Sequence, residues 1–317
     1  MERSRTATAA AAATHEKKDS MSDVTHVWMY WEDPPGRTRP AYLDLCQDTI
    51  RRHLGPSLEF HSLDDTSIFE WLPDLDPSIW SRLTVPAQRA DYARTRLIYN
   101  HGGLWLDADC IAVGPLETLV GYLGGHDLAS WGSDVRGRFF NNLFVARAES
   151  PLLALWMQSQ DETLASSDDW TLLSWSALGS DAFHPFMKDG NYTNIPFKKV
   201  APVLWYEWRR FFSPFQSPAD VLASSPVTVM LWNKGMGPLL ADRSVSQLRR
   251  GNMLLSRLFR IALGESTLEE ELDGYTRLSR VSDLRYRANG IRVEHRLREW
   301  ASTIKHPRQG VQTANRS

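Results

Sequence analysis

Cysteine is scarce in this 317-residue chain. Cys46 and Cys110 stand 64 residues apart, with no CxxC or other ligand spacing. That excludes a disulfide framework and a thiolate metal cluster, and it fits two buried thiols in a reducing compartment, the cytoplasm. Long apolar runs are also missing: none approaches the ~20 residues needed to cross a bilayer. The opening MERSRTATAAAAATHEKKDS has an alanine run but no leucine-rich segment. It is not read as a secretory signal, and 1–24 is expected to be a disordered tail, with Met21 an alternative start. Net charge is only −2, so the chain as a whole is not expected to bind nucleic acid. No internal repeat is visible. No GxGxxG follows the first strand-like run, which disfavours a dinucleotide oxidoreductase.

What is present is tryptophan, 13 residues of it. Indole rings fill cores, and they also stack on nucleobases and sugar faces. Charge is uneven. Residues 243–317 carry 15 Lys and Arg against 8 Asp and Glu, or +7, which leaves −9 for the rest. Hydrophobic periodicity predicts strands over 25–33, 57–65, 104–113, 127–132 and 139–148, the third interrupted by its aspartates. Helices are predicted over 41–55, 77–83, 86–103 and 150–164, the last with Ser150 as N-cap and Pro151 at the first helical position. Short strands and loops fill 165–242. Strands alternating with helices imply an α/β sheet with helices on its faces.

The informative stretch is GGLWLDADC, 102–110. An apolar run ends in two acids one residue apart. In an extended chain, positions i and i+2 share a face, so Asp107 and Asp109 would set two carboxylates side by side. Burial and mutual repulsion would raise their pKa values, and a divalent cation removes the conflict. Mn²⁺ and Mg²⁺ prefer oxygen ligands, and Mg²⁺ is commonly shared between carboxylates and substrate phosphates. Upstream, Asp91 and Arg94 are three apart on a helix and share one face. They read either as a grip on hydroxyls, the carboxylate accepting and the guanidinium donating, or as a surface ion pair.

Together, RADYARTRLIYNHGGLWLDADC resembles the core signature of metal-dependent glycosyltransferases of the GT-A type. Within them it is similar to family 32, the capsular-polysaccharide-synthesis proteins and yeast-type initiating mannosyltransferases. The cores of glucosylating bacterial toxins share the pattern. The resemblance runs from about 25 to 240. It implies a Rossmann-like mixed sheet flanked by helices, and a retaining enzyme that moves a hexose from a nucleotide-diphosphate sugar to a glycan or lipid-linked acceptor. UDP-hexose is favoured over GDP-mannose as donor. It implies that Trp28 delivers an aromatic to the base, although strand tryptophans also simply fill cores. Asp91 and Arg94 would hold donor hydroxyls, Asp107 would lie near the ribose and sugar, and Asp109 would ligate Mn²⁺ or Mg²⁺. VMLWNKG, 229–235, resembles a late segment that closes over the diphosphate, so Trp232 and Asn233 carry over as donor contacts. Asn233 is then a metal or phosphate ligand, or else a turn residue. Met230 stands where relatives have histidine, and a thioether is a poor ligand for a hard cation. LGSDAF, 178–183, falls where relatives often have Gly-Pro, with Ser180 replacing the proline.

Asn141 and Asn142 are read as facing the acceptor or as a hydrogen-bonded strand end. Asp181 and Glu207 are the acids nearest the expected acceptor side, and either could stabilise an oxocarbenium-like centre. A transferase is thus expected over 25–242, followed by a basic helical appendage over 243–305 and a disordered tail over 306–317. Within the appendage, 244–264 has Arg249, Arg250, Arg257 and Arg260 among apolar residues and no acid. It would either contact an anionic inner membrane face or pack on the catalytic domain. A binding protein of the same fold without catalysis is the alternative function.

Overall fold

The computed structural model describes residues 25–33, 36, 38–187 and 190–274. The tail expected at 1–24, the Met21 start and everything from 275 onward, including 306–317, lie outside the described residues. The first strand, β1 (His26–Tyr30), shows how the layers arise. Val27 and Met29 point into one apolar cluster, while Trp28 and Tyr30 point into another on the opposite face. A strand buried on both sides needs helices on both sides. Helix Ala41–Arg52 covers the first face with Tyr42, Leu43, Leu45, Cys46 and Ile50. Helices Pro86–His101 and Pro151–Ala165 cover the second with Leu97, Ile98, Leu152 and Trp156.

The remaining strands are β2 (Glu59–Leu63), β3 (Gly103–Leu106), β4 (Cys110–Ala112), β5 (Leu128–Trp131), β6 (Phe140–Ala146), β7 (Tyr192–Ile195) and β8 (Thr228–Met230). Six form one sheet in the order β2-β1-β3-β6-β5-β7, and β4 and β8 pair separately. β1 is parallel to β2 and β3, β6 is antiparallel to β3 and β5, and β7 is parallel to β5. Hence β6 alone runs against the other five. The α/β architecture expected from the sequence, a mixed sheet flanked by helices, is the one observed. From β1 the chain steps outward to β2 and then returns to β3 on the other side, so β1 and β3 flank a switch point. Open α/β sheets bind ligands outside the carboxyl ends of their strands at such a point.

Three expectations are sharpened. The stretch 104–113 is interrupted at its aspartates, as expected, but its two halves join different sheets. After Asp107–Asp109 the chain leaves the main sheet to pair with β8. Ser150 stands at the N-cap position without a side-chain capping bond, and its hydroxyl is buried without a partner. Residues 244–264 are not one helix but two, Val245–Arg250 and Leu254–Ala262, interrupted at Gly251. Nor do they hang off the domain. Leu248, Leu254, Leu255, Leu258, Phe259 and Ala262 sit in the same cluster as β1 and β4. The acids absent from 244–264 arrive from the next segment: Arg260 binds Glu271 at 2.6 Å and Arg249 pairs with Glu265. The apolar side chains that membrane contact would need are therefore inside the protein. Among the described residues no helix is long and apolar enough to cross a membrane.

Phe259 is fully buried. Phe259→Ala should destabilise the chain by about 3–5 kcal/mol in chemical denaturation, the usual cost of an aromatic cavity; a peripheral surface helix would lose far less.

Candidate active site

The site begins with two glycines. Gly102 caps helix Pro86–His101 in a left-handed turn, φ 65°. Gly103 opens β3 at φ 128°, where a Cβ would lie 2.7 Å from the His26 carbonyl and from the Trp28 indole nitrogen. Only glycine lets β3 lie this close to β1. Four residues later β3 ends at Asp107, whose backbone N–H donates to the Asn142 carbonyl at 2.9 Å. Because β6 runs antiparallel, its first residues meet the last of β3.

Arg94 lies at the centre. Its guanidinium is 3.3 Å from Asp91 Oδ1 and 3.2 Å from Asp107 Oδ1. It also donates to the Asn141 carbonyl and, through Nε, to Ala90 O at 3.2 Å, and it lies 4.9 Å from the Trp105 ring centroid. The Asn141 amide donates to Asp91 at 2.6 Å, and the Trp105 indole donates to Asp107 at 2.8 Å. Gly179 closes over this pair: a Cβ there would stand 2.5 Å from both Asp91 and Asn141.

Asp109 is reached from the other side. As β8 ends, the Leu231 N–H donates to the Asp109 carbonyl at 2.9 Å. Trp232 then takes a left-handed backbone, φ 62°, uncommon for so bulky a residue. That turn starts helix Asn233–Leu240 with the Asn233 N–H donating to Asp109 Oδ2 at 2.6 Å.

The arrangement gathers more negative than positive charge. Arg94, Asp91 and Asp109 are buried, and the Asp107 side chain is 30 % exposed. Burial raises Asp91 to about 7, helped by the charges of Asp107 and Asp181 and opposed by Arg94 and Asn141. Burial and then Asp107 raise Asp109 to about 6, against the Asn233 N–H. Asp107 is raised by burial and held down by Arg94 and Trp105. One guanidinium does not neutralise three carboxylates. Asp107 and Asp109 carry the oxygen donors a hard divalent cation prefers, but among the described residues the three carboxylates do not form a three-ligand group within 4.8 Å.

The structure brings Asp91, Arg94, Asp107, Asp109 and Asn233 together. Trp28 it does not. That indole is fully buried, donates to Gly102 O at 2.9 Å and stacks on His61, so no face is left for a base. β1 ends in the buried aromatic Tyr30, and Trp31 just beyond it is part-buried and bonded to Asp33. Asn233 contributes its backbone N–H, while its side-chain oxygen accepts from the Tyr42 hydroxyl. Burial and Asp109 hold that phenol protonated. Trp232 donates its indole N–H to Val203 O at 2.8 Å. Met230 is buried in β8. Asn141 and Asn142 are hydrogen-bonded strand residues: Asn142 accepts from Trp131 and Asn141 serves Asp91. Asp181 accepts from the Ser174 and Ser176 hydroxyls, and Glu207 binds Arg210 and the Leu204 N–H. Sequence reading missed Tyr42 and the closeness of Gly179. Both contacts span long separations that no local spacing encodes.

A family model for capsular polysaccharide synthesis proteins matches residues 3–121. That match covers Asp91, Arg94, Asp107 and Asp109. It takes in a little over a third of the chain. No curated protein matches. Among solved structures, the glycosyltransferase GlyE of Streptococcus pneumoniae TIGR4 is 14% identical, with 81% of this chain and 64% of that one covered, at a TM-score of 0.42. The bifunctional glycosyltransferase WbbM is 11% identical over 80% of this chain and 52% of that one, at 0.44. The galactosyltransferase LgtC, solved with donor and acceptor sugar analogues, is 13% identical over 77% and 96%, at 0.41. This chain thus spans less than two thirds of the first two.

The raised carboxyls set a pH dependence. Without divalent cations the folded chain keeps protons on Asp91 and Asp109 that the unfolded chain releases near pH 4. The folded state binds more protons across that window, so stability falls as pH rises from about 4 to about 7. Melting temperature should drop over this range, and Asp91→Asn should flatten the slope.

Proposed function

We infer that this chain is a metal-dependent, retaining hexosyltransferase of the family-32 type, acting in the cytoplasm in capsular or surface polysaccharide synthesis. It takes a nucleotide-diphosphate sugar as donor and a glycan or lipid-linked acceptor. The observation that carries the reading is the cluster of Asp91, Arg94, Asp107 and Asp109 at the sheet's switch point, inside the span that matches the capsular-synthesis family.

Asp109 and Asp107 would hold Mn²⁺ or Mg²⁺. When bound, the ion supplies Lewis-acid stabilisation of the negative charge developing on the leaving β-phosphate. Helix Asn233–Leu240 points its positive end at the same place, with Lys234 in its first turn, which favours a diphosphate there. Asp91, fixed by Arg94 and Asn141 and packed against Gly179, would offer its carboxyl oxygen to donor hydroxyls. As the anomeric carbon–oxygen bond to phosphate breaks, the acceptor oxygen bonds to that carbon and its proton passes to the phosphate oxygen released. Asp181 and Glu207 are occupied by serine hydroxyls and by Arg210. This favours same-face attack assisted by the leaving phosphate over a glycosyl-enzyme through either acid.

The test is release of nucleotide diphosphate from a panel of UDP-sugars and GDP-mannose with Mn²⁺. Asp109→Asn should lower turnover at least ~100-fold, as loss of a transition-state charge stabiliser does, with an unchanged circular dichroism spectrum. Full turnover in that variant or in excess EDTA overturns the proposal. Metal-dependent binding without turnover would mark a binding protein of the same fold.

A further inference from the structure

At the opposite end of the same strands lies a second cluster of very different chemistry. His26 opens β1 and is the register partner of Glu59, which opens β2. His61 follows Glu59 by two residues, so His26, Glu59 and His61 project from one face of this parallel pair. His26 Nδ1 and His61 Nε2 are hydrogen-bonded to each other at 3.0 Å, a bond a shared metal ion would replace. Glu59 Oε1 is 3.9 Å from His61 Nε2, and the three ligand atoms lie within 4.8 Å of one another. Two nitrogens on one tetrahedral zinc are about 3.3 Å apart, given Zn–N bonds of ~2.0–2.1 Å. The imidazoles therefore already stand within a few tenths of an ångström of that spacing.

The rings are fixed. His61 stacks on Trp28 at 4.4 Å and meets the edge of Trp71 at 4.6 Å. The His61 side chain is 9 % exposed and that of Glu59 71 %, so two rigid ligands are joined by one free to swing in from solvent. Burial lowers both histidine pKa values, which keeps the imidazoles neutral, the form that ligates metals.

The geometry points to a transition-metal site made by His26, His61 and Glu59, best matched to Zn²⁺, with a fourth position left to water. Two imidazoles and one carboxylate suit zinc, not the oxygen-preferring Mg²⁺ and Mn²⁺ of the aspartate site. The two centres are also apart. His26 lies level with Gly103 in the β1–β3 pairing, and Asp107 is four residues further along, roughly 13 Å at ~3.3 Å per residue. The metal would tie the starts of β1 and β2 together and raise stability by mass action. It does not rest on the transferase reading.

The experiment uses the full untagged chain in excess Mg²⁺, titrated with Zn²⁺ by calorimetry and with Co²⁺ by visible absorption. One equivalent of Zn²⁺ should bind, melting temperature should rise, and Co²⁺ should develop the d–d bands of a tetrahedral N/O site. His61→Gln should abolish all three. Glu59→Gln, an exposed change that leaves the aromatic packing intact, should weaken Zn²⁺ binding at least ~10-fold, the minimum seen on losing even an outer partner. Asp109→Asn should leave Zn²⁺ uptake unaltered. No uptake by the native chain, or the same affinity and Co²⁺ spectrum in Glu59→Gln and His61→Gln, overturns the proposal. So does loss of uptake in Asp109→Asn alone.

Discussion

Arg94 inside a ring of carboxylates is the contact on which the rest of the centre depends. Three segments converge on that guanidinium: its own helix through Asp91 and Ala90, the end of β3 through Asp107, and the start of β6 through the Asn141 carbonyl. Buried ion pairs gain little net stability, but removing one partner strands the others without compensation. Arg94 therefore acts less as glue than as a constraint. It fixes where two carboxylates point, and it leaves the centre with surplus negative charge.

The two ends of the central strands contrast in donor chemistry. At the carboxyl end, oxygens crowd beneath a helix N-terminus. At the amino end, nitrogens are held among tryptophans. A single sheet keeps the two donor sets apart through side-chain alternation and strand length. Were each to bind the cation proposed for it, ligand type would set the selectivity.

Much of this was legible in the sequence. The Asp91/Arg94 pairing followed from helical spacing, and the acids at 107 and 109 were flagged by an apolar run that stops on charge. The layered α/β plan followed from alternating strand and helix patterns. What was not legible shared one cause, partners far away in the chain. Trp28 looked available because a strand pattern does not reveal what covers its outer face; His61, Trp71 and Gly102 cover it. Of the two readings of 244–264, packing on the domain is the one observed; the run alone could not choose it, because its core partners lie two hundred residues upstream. The interruption of 104–113 at its aspartates was legible, but the change of sheet was not, because periodicity is blind to which sheet a residue joins; β8, over a hundred residues later, draws Cys110–Ala112 away.

The reversed direction of β6 has a consequence for how this scaffold could diversify. Its ladder with β3, from Gly103↔Ala146 to Leu106↔Leu143, sets the position of Asn141 from behind. The link between β5 and β6 is anchored at its end by Phe139, fully buried against Phe144, Trp156 and Phe183, while 133–138 are part-buried or exposed. Insertions or deletions confined to 133–138 could therefore reshape that rim while Phe139 and the ladder hold the strands in place. On the transferase reading proposed above, new acceptor preferences would be expected to arise there first.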